Sequence, residues 1–177
     1  AAIRFAKAAL TETELADPKM AWRVDPAIAG GGLFHDLAPH QLDLMIYFFG
    51  AVQKVNGIAT SQGSNYDADD LVAGNILFSN KVAFSGTWCF NAAAEAAADI
   101  CEITGTKGKL SFPVFDTSVL TLLTNGETVT EQFDALPHVQ QPMIAATVNY
   151  FLNEGPNPCT ADEGAEVMRL MDAFAEK

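Results

Sequence analysis

The chain has 177 residues, of which 49% are hydrophobic, and its formal net charge is −12. This length fits one domain of ordinary size that can bury a sizeable core. So much negative charge repels nucleic acid and anionic lipid, so we expect neither nucleic acid nor a membrane as a partner. No apolar run approaches the length of a membrane span.

The sequence up to Gly50 predicts a strand, a loop and one long helix. "AAIRFAKAAL" alternates loosely and predicts the strand, whereas the polar segment 11–29 holds two prolines and predicts a loop. From 31 to 49 apolar residues recur with helical spacing, and Gly50 is a natural stop. Pro39 lies inside this helix, where we expect it to remove one backbone hydrogen bond and bend the helix.

The rest of the chain predicts a run of six or seven short strands and then two helices. Asn125-Gly126 is the strongest hairpin signal, because both central residues of a type I′ turn need a positive φ. The closing helices are predicted at about 140–153 and 162–175, and the second follows a capping box formed by Thr160 and Glu163. The alanine run at 92–98 is predicted as a loop.

This order of elements predicts an α+β fold with an open, mostly antiparallel β-sheet and helices on one face. The helix at 31–49 and the two terminal helices can cover that face. Strands such as "LVAGNILFS" carry apolar residues on both sides of their alternation. We therefore expect the open face to pack against a second copy, in a homodimer or homotetramer.

The cysteines Cys89, Cys101 and Cys159 are odd in number and form no CxxC pair. This pattern indicates reduced thiols and a cytoplasmic location. We predict that all three are small core hydrophobes.

Asp36 and His40 are four residues apart, so on a helix they share one face, and Asp43 falls on the same side. An imidazole can take the proton of a secondary alcohol near neutral pH, and a neighbouring carboxylate can hold the hydroxyl. The same spacing also fits an ordinary polar pair on a helix surface. A metal site would use all three side chains but lacks a clear further ligand, so no metal is expected.

Three segments carry a resemblance to a known family. "WRVDPAIAGGGLFHDLAPHQLDLMIYFFG" resembles the signature that opens the C-terminal domain of the glucose–fructose oxidoreductase / inositol 2-dehydrogenase (Gfo/Idh/MocA) family. "DICEITGTKGKLSF" resembles a later strand pair of that family, and "HVQQPMIAATVNYFLNEG" with "CTADEGAEVMRLMDAF" resembles its terminal helices. The three segments follow in the family's order and cover essentially the whole chain.

The resemblance implies that residues 1–177 are the C-terminal substrate-binding and oligomerisation domain of a two-domain enzyme. An N-terminal Rossmann domain, absent from this chain, would bind NAD or NADP and supply a lysine. The implied activity is NAD(P)-dependent oxidation of a secondary alcohol on a sugar, cyclitol or related polyol, with Asp36 and His40 catalytic. This fragment alone is expected to be inactive. Pro39, next to His40, departs from the family's usual small residues.

Other residues near the glycine triplet are weaker candidates. Trp22 and Arg23 are predicted to line the cofactor site, with a packed loop aromatic and a surface cation as the alternative. Gly32, His35 and His138 are predicted to line the substrate site, with structural or solvent-exposed roles as the alternative. Two other functions remain open: a glycosidase of the same family that uses bound NAD, and a non-catalytic dinucleotide-binding regulator, against which the presence of both Asp36 and His40 counts.

Overall fold

The computed structural model describes residues 1–63, 65–116 and 118–175, and within them eight strands form one sheet. The strands are β1 (Ala2–Ala8), β2 (Val52–Thr60), β3 (Leu71–Phe78), β4 (Ala83–Ala92), β5 (Ala98–Gly105), β6 (Gly108–Phe112), β7 (Val119–Thr124) and β8 (Glu127–Gln132). The helices are α1 (Glu12–Ala16), α2 (Pro18–Ala21), α3 (Pro26–Ala29), α4 (Leu33–Phe49), α5 (Gln141–Phe151) and α6 (Ala161–Ala175).

The sheet runs in the order β2-β3-β4-β1-β5-β6-β7-β8. Only the pair β1–β4 is parallel among these strands, and every other neighbouring pair is antiparallel. The first strand of the chain therefore lies in the middle of the sheet, with both of its edges paired. The predicted α+β fold with an open, mostly antiparallel sheet is confirmed.

Helices α4 and α6 cover one face of the sheet. The inward side chains of the neighbouring strands β3 and β4 are buried there, while their outward neighbours are more exposed. Trp88 of β4 forms the centre of this core: its ring centroid lies 5.2 Å from that of Phe34 on α4 and 5.7 Å from that of Phe174 on α6. One aromatic cluster thus fixes both helices to the sheet.

Two glycines, Gly57 and Gly74, let α6 approach the sheet closely. Gly57, Gly74 and Gly86 lie side by side on β2, β3 and β4. A Cβ on Gly57 would come within 2.5 Å of the Cα of Phe174, and one on Gly74 within 2.7 Å of its ring. Side chains at Gly57 or Gly74 would push the helix away from the strands, whereas a Cβ on Gly86 would lie 2.2 Å from the ring of Trp88.

The segment 11–29 is not the loop that its prolines predict, because it contains α1, α2, a 3₁₀ turn at Trp22–Val24 and α3. The aspartates before the two prolines explain the difference. Asp17 accepts a hydrogen bond from the backbone of Lys19, and Asp25 likewise caps α3. An Asp-Pro pair here is a helix N-cap followed by proline at the first helical position, where proline is tolerated.

Several local predictions are confirmed. Asn125 and Gly126 both have positive φ, at 52° and 80°, and join β7 to β8 as a hairpin. Both terminal helices form, and Thr160 and Glu163 make the predicted capping box. The alanine run contains a single 3₁₀ turn, Ala94–Ala96, between two strands. Helix α4 continues through Pro39 as one element, so the proline does not end the helix, and the bend at Pro39 stays a prediction.

Two predictions about burial are wrong. Cys101 is buried and Cys89 half-buried, but Cys159 is exposed, because it lies in the loop before α6. Helix α5 does not cover the sheet with α4 and α6, since none of its residues is buried. Its apolar side chains face solvent, including Ile144 at 60% and Phe151 at 76% exposure.

The opposite face of the sheet is open. Its central positions hold small or short polar side chains, and Ile58 is 68% exposed beside them. In register across β2, β3 and β4 these positions are Asn56, Ala73, Asn75, Ser85 and Thr87. Within the part of the chain that is described, no helix has both the length and the apolar character needed to cross a membrane.

Candidate functional site

One buried hydrogen bond fixes the rotation of α4 about its axis. Gln41 is fully buried, and its Oε1 accepts a hydrogen bond of 2.5 Å from Nε1 of Trp88. Since Gln41 faces the sheet, the neighbouring residues on the far side of the helix face outward. Asp36, His40 and Asp43 are all exposed. The predicted shared face of these three residues is therefore an open surface of the domain.

The carboxylate of Asp36 pairs with an arginine from the preceding segment. Nε of Arg23 lies 3.3 Å from Oδ2 of Asp36, and both side chains are partly exposed, at 32% and 42%. Nη1 of Arg23 donates to the carbonyl of Lys19 at 2.6 Å, and its guanidinium carbon lies 4.7 Å from the ring centroid of Trp22. The Lys19 carbonyl and the Trp22 ring thus fix the guanidinium of Arg23, which in turn binds one oxygen of Asp36.

The imidazole of His40 packs against an aromatic ring from the far part of the chain. The ring centroids of His40 and Phe115 lie 6.1 Å apart, with their planes at 85°. Phe115 belongs to the loop between β6 and β7, and it is 43% exposed. His40 makes no hydrogen bond to Asp36 among the described residues, so each has its own neighbour.

His35 faces a different region from His40. It lines an open cavity of about 390 Å³ together with glycines 30 and 31 and three aspartates, Asp67, Asp69 and Asp172. Nδ1 of His35 is buried and has no hydrogen-bond partner among the described residues. A Cβ on Gly31 would lie 2.0 Å from this imidazole, so the glycine makes room for the ring.

The remaining candidates, Gly32, His138 and Trp22, lie at the start of α4, before α5 and beside Arg23. Gly32 is the N-cap of α4, with φ of 75°, and a Cβ there would lie 2.5 Å from Cβ of Ala68. His138 lies in the exposed segment before α5, where its carbonyl accepts from the backbone of Gln141. Trp22 is 42% exposed beside Arg23. Within the described ranges, no three metal-ligating side chains form a cluster that could hold an ion.

Two residues of this region are not among the candidates that the sequence predicts. Gln41 carries a usable signal: it is polar, yet it falls three residues after Ala38 and four before Met45, on the stripe that α4 buries. Phe115 carries none, because nothing in the order of residues links a loop after β6 to the middle of α4.

One family model matches more than half of the chain. Residues 2–111 match the model of the GFO/IDH/MocA C-terminal domain. The chain is 44% identical over 160 residues to "Oxidoreductase P35" of Formosa agariphila, in an alignment that covers 90% of this chain and 48% of that protein. The chain therefore spans about half the length of this relative.

Solved structures show the same fold. A levoglucosan dehydrogenase in complex with NADH and levoglucosan superposes with a TM-score of 0.77 at 20% identity, over 98% of this chain and 54% of that one. The aldose–aldose oxidoreductase from Caulobacter crescentus, complexed with glycerol, gives a TM-score of 0.77 at 18% identity, over 98% and 51%. The architecture is thus that of one half of each of these longer chains.

Proposed function

This chain belongs to the GFO/IDH/MocA family of oxidoreductases through its C-terminal domain, and we propose that it is the substrate-binding and oligomerisation domain of an NAD(P)-dependent dehydrogenase. The substrate class is a secondary alcohol on a sugar, cyclitol or related polyol. A separate N-terminal domain of the full protein binds most of the cofactor. The observation that carries the proposal is the exposed pair Asp36 and His40 on one face of α4, with Arg23 fixed beside Asp36.

The proposed roles follow from the chemistry of the exposed groups. His40 accepts the proton of the substrate hydroxyl as general base, for which an imidazole is suited near neutral pH. Asp36 accepts a hydrogen bond from a neighbouring hydroxyl of the polyol with the carboxylate oxygen that Arg23 leaves free, because the single proton of the reacting hydroxyl goes to His40. Arg23 positions Asp36 and does not itself touch the alcohol. NAD or NADP, when bound, would supply the hydride acceptor for the carbon that carries the reacting hydroxyl.

We propose that this domain contacts only the nicotinamide end of the cofactor. Arg23 pairs with Asp36 and lies over the ring of Trp22, and we propose that Trp22 and Arg23 are the residues of this domain that contact the cofactor. Trp22 offers an exposed aromatic face, which suits an aromatic nicotinamide ring. The glycine triplet at 30–32 does not follow a strand directly, since α3 precedes it, so it is no dinucleotide-binding turn.

Gly32, His35 and His138 stay proposals as residues that line the substrate site. Gly32 is the N-cap of α4, where it faces Ala68. His35 lines a cavity in a different region from His40, and His138 lies in the exposed segment before α5, so we propose that either histidine contacts a polar group of the substrate away from the reacting hydroxyl. Two solved structures with this fold are complexes with levoglucosan and with glycerol, which supports our proposal of a hydroxylated substrate. We also propose that the protein works in the cytoplasm as a homodimer or homotetramer through the open sheet face.

The proposal is tested on the full-length enzyme, by following NAD(P)H formation with D-glucose, levoglucosan and myo-inositol. We expect turnover of at least one compound, and His40→Ala should lower kcat about a hundredfold or more, the usual scale for a positioned base. Asp36→Asn should also lower kcat. Asp43→Asn is the matched control, since Asp43 is an exposed carboxylate on the same helix, and it should keep wild-type turnover.

The 177-residue chain alone should bind neither NAD nor NADP tightly, because most of the cofactor site lies elsewhere. A micromolar dissociation constant of NAD or NADP for this fragment would contradict the proposal that most of the cofactor site lies in another domain. Analysis of the products separates a dehydrogenase from the glycosidase alternative: net NADH formation with a keto product supports the former, and cleavage of a glycoside without net NADH supports the latter.

A further inference from the structure

The loop between β6 and β7 exposes the ring of Phe115 to solvent beside His40 of α4. Phe115 is 43% exposed and packs edge to face against His40. Its neighbours Phe112 and Val114 pack against the core instead. Exposing a phenylalanine is unfavourable, although single exposed apolar residues are common. What distinguishes Phe115 is that its position is fixed.

Two contacts fix it. The backbone N–H of Phe115 donates to Oδ2 of Asp99 on β5 at 2.7 Å. The other carboxylate oxygen of Asp99, Oδ1, is buried and has no partner among the described residues. The Phe115 ring also packs on Phe5 of β1, with centroids 5.4 Å apart. Asp99 and Phe5 lie opposite each other in the sheet, so one pair of strands supports both the backbone and the ring.

We infer that Phe115 is a specificity-determining residue: its ring is the apolar platform on which the C–H face of a cyclic sugar rests while a ring hydroxyl reaches His40. This inference rests on the proposed function and names the part of the substrate that the site recognises. Pyranose rings have one face rich in C–H groups, and burying that face on an aromatic ring removes apolar surface from water. A linear triol such as glycerol has no such face.

Phe115 and His40 have different proposed roles, the first in binding and the second in proton transfer. The imidazole and phenyl planes are nearly perpendicular, and Phe115 is 43% exposed, so a substrate can rest on the exposed part of the phenyl ring while one of its hydroxyls reaches the imidazole. Phe115 has no group that titrates or donates a proton. Its loss should therefore weaken binding of a cyclic sugar and leave the proton transfer at His40 in place. Asp99 acts through Phe115 and is a positioning residue.

The test measures dissociation constants of D-glucose, levoglucosan and glycerol for the full-length enzyme loaded with NADH, by calorimetry, with KM and kcat where turnover occurs. Phe115→Ala should weaken binding of the two pyranoses about tenfold, the scale of one aromatic contact, and change glycerol binding and kcat little. Phe115→Tyr keeps the ring and should stay near wild type. Asp99→Ala should give a smaller loss, because it frees the loop but keeps the ring.

Two control variants test whether weaker binding in Phe115→Ala comes from the lost ring or from a general loss of structure. Asp116→Ala removes a carboxylate of the same loop that caps Ser118 and not Phe115, and Tyr47→Ala removes an exposed aromatic from α4. Both should bind the pyranoses as the wild type does. Equal losses for glycerol and the pyranoses, unchanged binding in Phe115→Ala, or no binding of either pyranose by the wild type would each overturn the inference. Pyranose binding that depends on Phe115 without any turnover would support the platform and contradict the proposed dehydrogenase.

Discussion

Arg23 and Asp36 form an ion pair of 3.3 Å between a short helical segment and the first turn of α4. Both side chains are partly exposed, so the pair contributes little to stability, about 0–1 kcal/mol. Its value lies in orientation: it fixes one oxygen of the proposed catalytic carboxylate. Arg23→Ala in the full-length enzyme should therefore lower kcat about tenfold, the fold-change that corresponds to about 1.4 kcal/mol, with a melting temperature close to wild type.

The control for that variant is Arg169→Ala, which removes the exposed ion pair of Arg169 with Glu166 on α6. It should change neither kcat nor the pH dependence of kcat/KM. Arg23→Lys tests orientation against charge, since lysine keeps the charge without the planar fork. A wild-type kcat and pH profile in Arg23→Ala would make the pair a surface contact only.

The buried bond between Gln41 and Trp88 should matter for stability. Gln41→Leu leaves Nε1 of Trp88 buried without an acceptor, which costs about 1–3 kcal/mol of unfolding free energy. Gln53→Leu changes an exposed glutamine of β2 and should cost much less. Urea unfolding of the 177-residue chain measures both. Equal midpoints for the two variants would mean that the hydrogen bond does not fix α4 to the sheet.

The open sheet face should be a subunit interface of more than about 2,000 Å² in total. Light scattering should report a dimer or tetramer of the chain at micromolar concentration. Thr87 lies exposed in the middle of this face, and Thr87→Glu should produce monomers, because it places two like charges near the centre of a two-fold contact. Ser79→Glu, in the exposed turn between β3 and β4, should leave the assembly unchanged. A monomeric wild type would refute the interface.

The capping box of α6 should make stability depend on pH. Hydrogen bonds from the backbone N–H and then the hydroxyl of Thr160 lower the pKa of Glu163 below its ordinary value. A depressed folded-state pKa gives stability that is present above the unfolded pKa, about 4.3, and is lost as the pH falls through the folded value. Glu163→Gln should thus lower the melting temperature at pH 7.

That difference between wild type and Glu163→Gln should shrink as the pH falls from about 5 to 3, because both side chains are then neutral. Glu14→Gln provides a matched comparison, since Glu14 makes the same capping box with Thr11 at α1 and its pKa is also lowered. Its effect should follow the same pH window. A difference that grows on acidification would contradict the sign of the pKa shift.

The sequence by itself determined the features that depend on neighbours along the chain. The Asn125-Gly126 hairpin, the Thr160–Glu163 box and the alternation of the strands follow from dihedral preferences and periodicity within a few residues. Helical spacing alone is enough to place Asp36 and His40 on one face of α4. At 11–29 the prolines by themselves mislead, because each follows an aspartate and the Asp-Pro pair begins a helix instead of interrupting one.

Only the tertiary structure decided which residues meet Asp36 and His40. Arg23 reaches Asp36 across 13 residues of sequence, and Trp88 meets Gln41 across 47. Phe115 reaches His40 only because β5, β1 and the β6–β7 loop come together. Such contacts depend on how strands order themselves and how closely a helix can approach glycines 57 and 74, and these are properties of packing between distant segments that no local preference encodes.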